Sequence, residues 1–188
     1  MHIVAGESSK ITSGEFTSVV VHQDQVYVVD PKKNQTQVFQ HSDTSSVRWI
    51  KIKTIRHDFK KKGATLSVSI SNNQLKCCSA GDGIIKVYSL SGELLQTYGA
   101  RGRGDAGQLN GPFICGDDDD GSVLIADLSN DRLQVMSEQG EFSVLQLQPP
   151  VSRPRSAVLF NNQLYVASSP AIGNSNLYRY SCKYSSHR

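Results

Sequence analysis

Residues 107–142, GQLNGPFICGDDDDGSVLIADLSNDRLQVMSEQGEF, carry the pattern on which the fold turns. A Gly-rich lead runs into an apolar stretch and a polar turn interrupts it. A second apolar stretch closes on Asp127, a third closes on Met136, and Gly140 opens another turn. Short runs rich in Val, Ile and Leu between turn signals read as strands. None is long enough for a helix, and no convincing helical segment occurs elsewhere.

The unit recurs. VVVHQDQVYVVDPKKNQTQVF, LSVSISNNQLKCCSAGDGIIKVY and AVLFNNQLYVASSPAIGNSNLYRY repeat its order of apolar stretch, polar turn, apolar stretch and apolar stretch. The second stretch closes on Asp30, Ser79, Asp127 and Ser168, at steps of 49, 48 and 41 residues. The third closes on Phe39, Tyr88, Met136 and Tyr180, at steps of 49, 48 and 44. A period of 40 to 50 residues carrying several short strands is that of a propeller or array. Gly92 and Gly140 stand where a tight hairpin needs a positive φ, and a more polar fourth strand follows each. Four antiparallel strands make one blade, with the apolar first strand lining the axis and the fourth at the solvent edge. GARGRGDAGQLNGP then leads from one outer strand to the next inner one, with Pro112 fixing the entry.

Residues 107–142 resemble an NHL repeat. The matching elements are Gly107 and Pro112, the turn Asp120–Gly121, Ile125 to Asp127, then Asn130, Arg132, Leu133, Val135 and Met136, then Gly140. The chain is similar to the NHL propellers best known as C-terminal domains of tripartite-motif ubiquitin ligases. That resemblance covers nearly all 188 residues but rests mainly on 99–142. It implies an all-β fold, a β-propeller of four-stranded antiparallel blades, with about four present of a six-bladed ring. The blades fall at about 17–55, 66–98, 112–148 and 155–182, and residues 1–5 read as the outer strand of a preceding blade. A four-bladed ring closed by its first strand is the alternative. In the other copies, Gln37, Lys86 and Tyr178 are expected in place of Arg132, so that an Asp–Arg pairing belongs to the third blade alone.

The chain has 20 Lys and Arg against 17 Asp and Glu, a formal charge of +3 that hides an uneven distribution. One face of a propeller collects the turns between strands two and three together with the blade-to-blade connections. Nine cations fall there, Lys32, Lys33, Arg56, Lys60, Lys61, Lys62, Arg101, Arg103 and Arg153, against the four anions Asp58, Asp82, Asp105 and Asp131. The opposite face collects Asp24, Asp43, Asp117 to Asp120 and Glu138, with no Lys or Arg expected. A basic face with Gly-flanked arginines is the electrostatic footprint of an anion-binding surface. Some NHL propellers bind single-stranded RNA and others bind proteins, so the resemblance implies one of these partners on the nine cations. Only Trp49 and Phe59 offer aromatic surface for stacking bases. Double-stranded DNA and membrane are not expected partners.

Catalytic chemistry has little to build on. His2, His22, His41, His57 and His187 are scattered, and no HxH, HExxH, GxSxG or P-loop pattern occurs. The peptide-amidating lyases that share the propeller need convergent metal-binding histidines, and His22, ending an inner strand, is the one candidate. The run Asp117–Asp120 lacks the alternation and distal Glu of a calcium loop and reads as a solvated turn. Cys77, Cys78, Cys115 and Cys182 have no CxxC spacing and read as reduced thiols. The start MHIVAGESSK has no secretory pattern, and a cytoplasmic protein is expected. The reading from sequence is a recognition module without catalytic residue, metal or cofactor, placed by resemblance in the substrate-choosing part of a tripartite-motif ligase. A free-standing scaffold is the rival.

Overall fold

The computed structural model describes residues 15–42, 48–64, 66–118, 120–169 and 174–182. The strand expected at 1–5, and Asp43 and Asp119, lie outside them. The first sheet joins β1 (Ser18–His22), β2 (Gln25–Asp30), β3 (Gln35–Ser42) and β4 (Arg48–Arg56). The second joins β5 (Leu66–Ser71), β6 (Gln74–Ser79), β7 (Ile84–Ser89) and β8 (Leu94–Tyr98). A parallel pair, β9 (Ala100–Arg101) and β10 (Gln108–Leu109), folds the following connection back on itself. The third sheet joins β11 (Pro112–Asp117), β12 (Val123–Asp127), β13 (Arg132–Met136) and β14 (Phe142–Val144). The fourth joins β15 (Pro154–Phe160), β16 (Gln163–Ser168) and β17 (Asn176–Ser181). Among the described residues the helical content is one 3-10 turn, Leu128–Asn130, and no helix is long and apolar enough to cross a membrane.

Hairpin chemistry explains this meander. Gln23–Asp24, Asn72–Asn73 and Asn161–Asn162 hold positive φ at both turn positions, the geometry whose twist matches that of two-residue hairpins. Asn and Asp tolerate the left-handed region better than other side chains. Gly92 and Gly140 have φ of 102° and 86°, as their positions require. At Gly140 an added Cβ would stand 2.0 Å from the Tyr98 ring, so the third blade's last hairpin closes directly on the second blade.

The first strands pack one on the next: β1 on β5, β5 on β11, and β11 on β15. Among the described residues no comparable contact joins β1 to β15, so the four blades form an arc. Three apolar clusters fill its seams. Tyr27, Val29 and Val38 meet Leu66, Leu75 and Cys77 in the first. Cys78 and Ile85 meet Ile114, Ile125 and Met136 in the second, and Ala126 and Leu133 meet Leu164, Val166 and Tyr180 in the third. Each fully buried Leu or Ile side chain contributes about 1.5–3 kcal/mol. The fourth strands are the wet edge: Leu94, Leu95, Ile50 and Ile52 are exposed. All four cysteines are free thiols, and burial raises Cys78 and Cys115 to about 11.

Strand register corrects one expected equivalence. Arg132 pairs with Asp127 as Gln35 pairs with Asp30, Ile84 with Ser79 and Asn176 with Ser168. Gln37, Lys86 and Tyr178 instead share the place of Gln134, two residues further along. Two residues is one full strand repeat, so the displaced alignment kept every side chain on its correct flank and left the periodicity unbroken.

Candidate functional site

The residues that close the second strands shape the loop face. Asp30, Ser79, Asp127 and Ser168 are all buried. Asp30 Oδ1 accepts the Lys33 N–H at 3.1 Å, and Ser79 Oγ accepts the Asp82 N–H at 3.2 Å, fixing the turns that follow. Asp127 does more. Its Oδ1 accepts the Asn110 N–H at 2.7 Å, and its Oδ2 accepts from Asn130 Nδ2 at 2.8 Å, Gln134 Nε2 at 3.0 Å and Arg132 Nε at 3.1 Å. The Arg132 guanidinium then donates to the carbonyls of Gly104, Asp105 and Gln108. The long connection 99–111 is thereby strapped to the third blade by its backbone.

The connection 57–64 is fastened differently. His57 and Phe59 turn into the first seam, both buried. The His57 N–H donates to the Asn34 carbonyl at 2.8 Å, Asn34 Nδ2 donates to the Phe59 carbonyl at 2.9 Å, and His57 Nε2 and Thr36 Oγ1 are hydrogen-bonded at 2.9 Å. Burial, helped by the Lys86 ammonium, holds the imidazole down at about 4, so it is neutral at pH 7. Lys86 reaches from β7 to the Asp58 carboxylate and lies over the Phe59 ring, 5.4 Å from its centroid. That hydrogen bond holds the Asp58 carboxyl below its usual range.

Most of the nine cations come together on the face these connections build. Lys32 and Lys33 occupy the turn 31–34, where Lys32 meets Glu15 at 2.5 Å and Lys33 meets Asp30 at 3.7 Å. Arg56 ends β4, and Lys60, Lys61 and Lys62 follow it, all exposed. Their connection is bound to both neighbouring turns. The Gly63 N–H donates to the Pro31 carbonyl at 3.1 Å, and the Lys61 N–H to Asp82 Oδ2 at 3.3 Å. Across the next seam the Arg101 guanidinium donates to the Gly81 carbonyl, and Arg103 stands exposed beyond it. Among the described residues Arg56, Lys60, Lys61, Lys62 and Arg103 form no ion pair. Arg153 is set apart. It lies at the far end of the arc, its N–H donates to Asp131 Oδ1 at 2.7 Å, and its buried Nε has no partner among the described residues.

Three expectations change. Phe59 is 3 % exposed and offers no surface to a base, while half-buried Trp49 packs edge-on against His41 with 5.4 Å between ring centres. Lys86 was absent from the expected set, and its signal was a lone cation inside an otherwise apolar strand. The opposite face is not free of cations. Lys76, also within an apolar strand, sends its ammonium to the Gly121 carbonyl at 2.8 Å, beside Asp117, Asp120 and Glu138. Burial lowers its pKa, and those carboxylates act in the opposite direction. On the same face His22 Nε2 is hydrogen-bonded to Asn73 Oδ1 at 3.1 Å.

Neither a protein-family model nor a curated protein sequence matches the chain. Solved structures do. A catalytically inactive virginiamycin B lyase from Staphylococcus aureus, crystallised with quinupristin, is 13% identical with a TM-score of 0.61, over 92% of this chain and 58% of that one. A structural-genomics protein of unknown function from Bacteroides thetaiotaomicron is 16% identical with a TM-score of 0.66, over 84% of this chain and 45% of that one. The computationally designed Ika4 protein is 10% identical with a TM-score of 0.61, over 96% of this chain and all of that one. The chain thus spans about half the length of the two natural structures. At such identities the likeness is one of fold, and with the sheet order and seams described above it makes this chain a β-propeller.

Proposed function

We propose that this propeller is a non-catalytic recognition module of NHL type whose basic loop face binds an acidic segment of a protein partner. The observation that supports the reading is the interlocking of the turns 31–34 and 80–83 with the connections 57–64 and 99–111. Exposed cations stand on one hydrogen-bonded surface rather than on separate loops. A fixed array of positive charge steers and orients an anionic chain without having to be ordered on contact. An acidic protein segment needs no aromatic platform, which suits a face on which Phe59, the ring expected to stack there, is buried. In the tripartite-motif lineage that the NHL resemblance suggests, such a face would choose what the ligase marks.

The test is fluorescence anisotropy with a labelled oligoglutamate peptide and a random single-stranded RNA, each at two salt concentrations. The peptide is expected to bind, to weaken with salt, and to lose at least about tenfold in affinity when Lys60, Lys61 and Lys62 are all changed to Glu. RNA binding that is tighter than the peptide's, with the same sensitivity to charge reversal, would reassign the face to RNA. No binding of either probe at low salt would remove the proposal.

A further inference from the structure

The outer flanks of the first and last blades carry the residues of a seam without the seam. In β5, β11 and β15 the place facing the preceding blade is held by Val68, Ile114 and Ala157, which are 7, 8 and 4 % exposed. Val19 holds that register place in β1 and is 62 % exposed, with Val21 on the same side at 65 %. In the third strands the place facing the following blade is held by Ile85 and Leu133, both 0 % exposed. Leu177 holds it in the fourth blade and is 74 % exposed, with Val158 on the same flank at 57 %.

A hydrogen bond points the same way. Ser18 Oγ accepts the Val68 N–H across the first seam at 3.4 Å, and Ser67 Oγ accepts the Ile114 N–H across the second at 2.7 Å. Ser18 and Ser67 pair with Val29 and Cys78 of their own second strands, and Ser156 pairs in the same manner with Ala167. Phe113 holds that place in the third blade, so the bond marks the first two seams; Ser156 has the place of such an acceptor, and Val19 has that of its donor. Ser156 is exposed, and its Oγ has no hydrogen-bond partner among the described residues.

We infer that the open flanks of this arc dock on those of a second copy of the same chain, the fourth blade of each on the first blade of the other. The observations select this occupant because the two ends are complementary to each other rather than alike, one presenting the acceptor and the other the donor place of the same repeating seam. A head-to-tail contact of this kind makes a ring if the rotation closes and a filament if it does not. Two arcs of four blades place eight blades in the ring, two more than the six that the NHL resemblance implies. The two-fold axis then coincides with the propeller axis, both seams form at once, and the apolar flanks leave water.

Sedimentation equilibrium of the purified chain tests this. The expected species is monodisperse at twice the 20.6 kDa of one chain. Val158→Lys and Val21→Glu are each expected to give a monomer with unchanged far-ultraviolet circular dichroism, because every seam in either homodimer meets a buried charge. Mixing the two variants is expected to restore a dimer, through one seam of wild-type residues and one of Lys against Glu. A second arm, indifferent to the folding of those variants, mixes Ser156→Cys with Val19→Cys chains under oxidation and is expected to yield a covalent dimer only from the mixture. A monodisperse wild-type monomer, an open-ended polymer, dimers that survive either charge variant, or a Ser156→Cys chain that cross-links to itself would each overturn the inference.

Discussion

The connections across the first and second seams meet the same requirement, to carry the chain from an outer edge to the next inner strand, by opposite means. Residues 57–64 put side chains into the seam, where His57 and Phe59 are buried and Lys86 and Asp58 pair at its rim. Residues 99–111 put almost nothing into the core except Leu109, and are held by carbonyl and N–H groups bound to a side-chain web on the third blade. The first solution leaves the loop's own exposed residues free to be cationic, because its anchor does not depend on them. The second commits Arg132 and Asp127 to the scaffold and leaves Arg101 and Arg103 to the surface. A shared architecture therefore fixes where the connections run, and local chemistry decides which of their charges remain available.

The comparison can be broken most severely at Asp127. Asp127→Ala removes the acceptor of four hydrogen bonds and strands the partly buried Arg132, with an expected loss of about 3–5 kcal/mol by urea denaturation. Asp30→Ala, which loses one turn N–H and a long pair to Lys33, should cost less than half of that. Equal losses would show that the web contributes nothing beyond its turn.

The first seam carries a buried titratable group of its own, His57. Unfolded, His57 takes up a proton near 6.5; folded, it resists until about 4. The unfolded chain therefore binds more protons through that interval, and stability falls as the pH drops from 6.5 to 4, by up to about 3 kcal/mol. The dependence should flatten in His57→Gln, measured as the urea midpoint against pH. An unchanged slope in that variant would assign the acid sensitivity elsewhere. The smallest effect on stability is expected at the surface tract itself. Changing Lys60, Lys61 and Lys62 together to Ala should shift stability by no more than about 0.5 kcal/mol while weakening anion binding. A larger destabilisation would mean that the tract belongs to the anchor.

The propeller was legible because its signals are local. The residues that close the second strands recur in every repeat, and the paired-residue hairpins and Gly turns in several of them, each acting on the backbone around it. The Asp127–Arg132 pair was legible for the same reason, being five residues apart at one turn. What sequence could not resolve depends on neighbours across a seam. Phe59 lies in a polar tract and looks exposed until β7 and Lys86 are brought over it. Lys76 and Lys86 look like interruptions of apolar strands, yet their stems carry the charge out to opposite faces. Arg153 reads as one more loop cation, and only the position of Asp131 withdraws it from the others.

Every strand pairing within the four blades joins immediate neighbours in the chain. Little loop-closure entropy stands against forming any one blade, so each can assemble once its own strands exist. Synthesis from the N-terminus releases the blades in order, and each new one finds the flank of its predecessor already in place as a template. The arc is thus suited to being built in the direction in which it is made, with the seams as the steps at which growth is ratified.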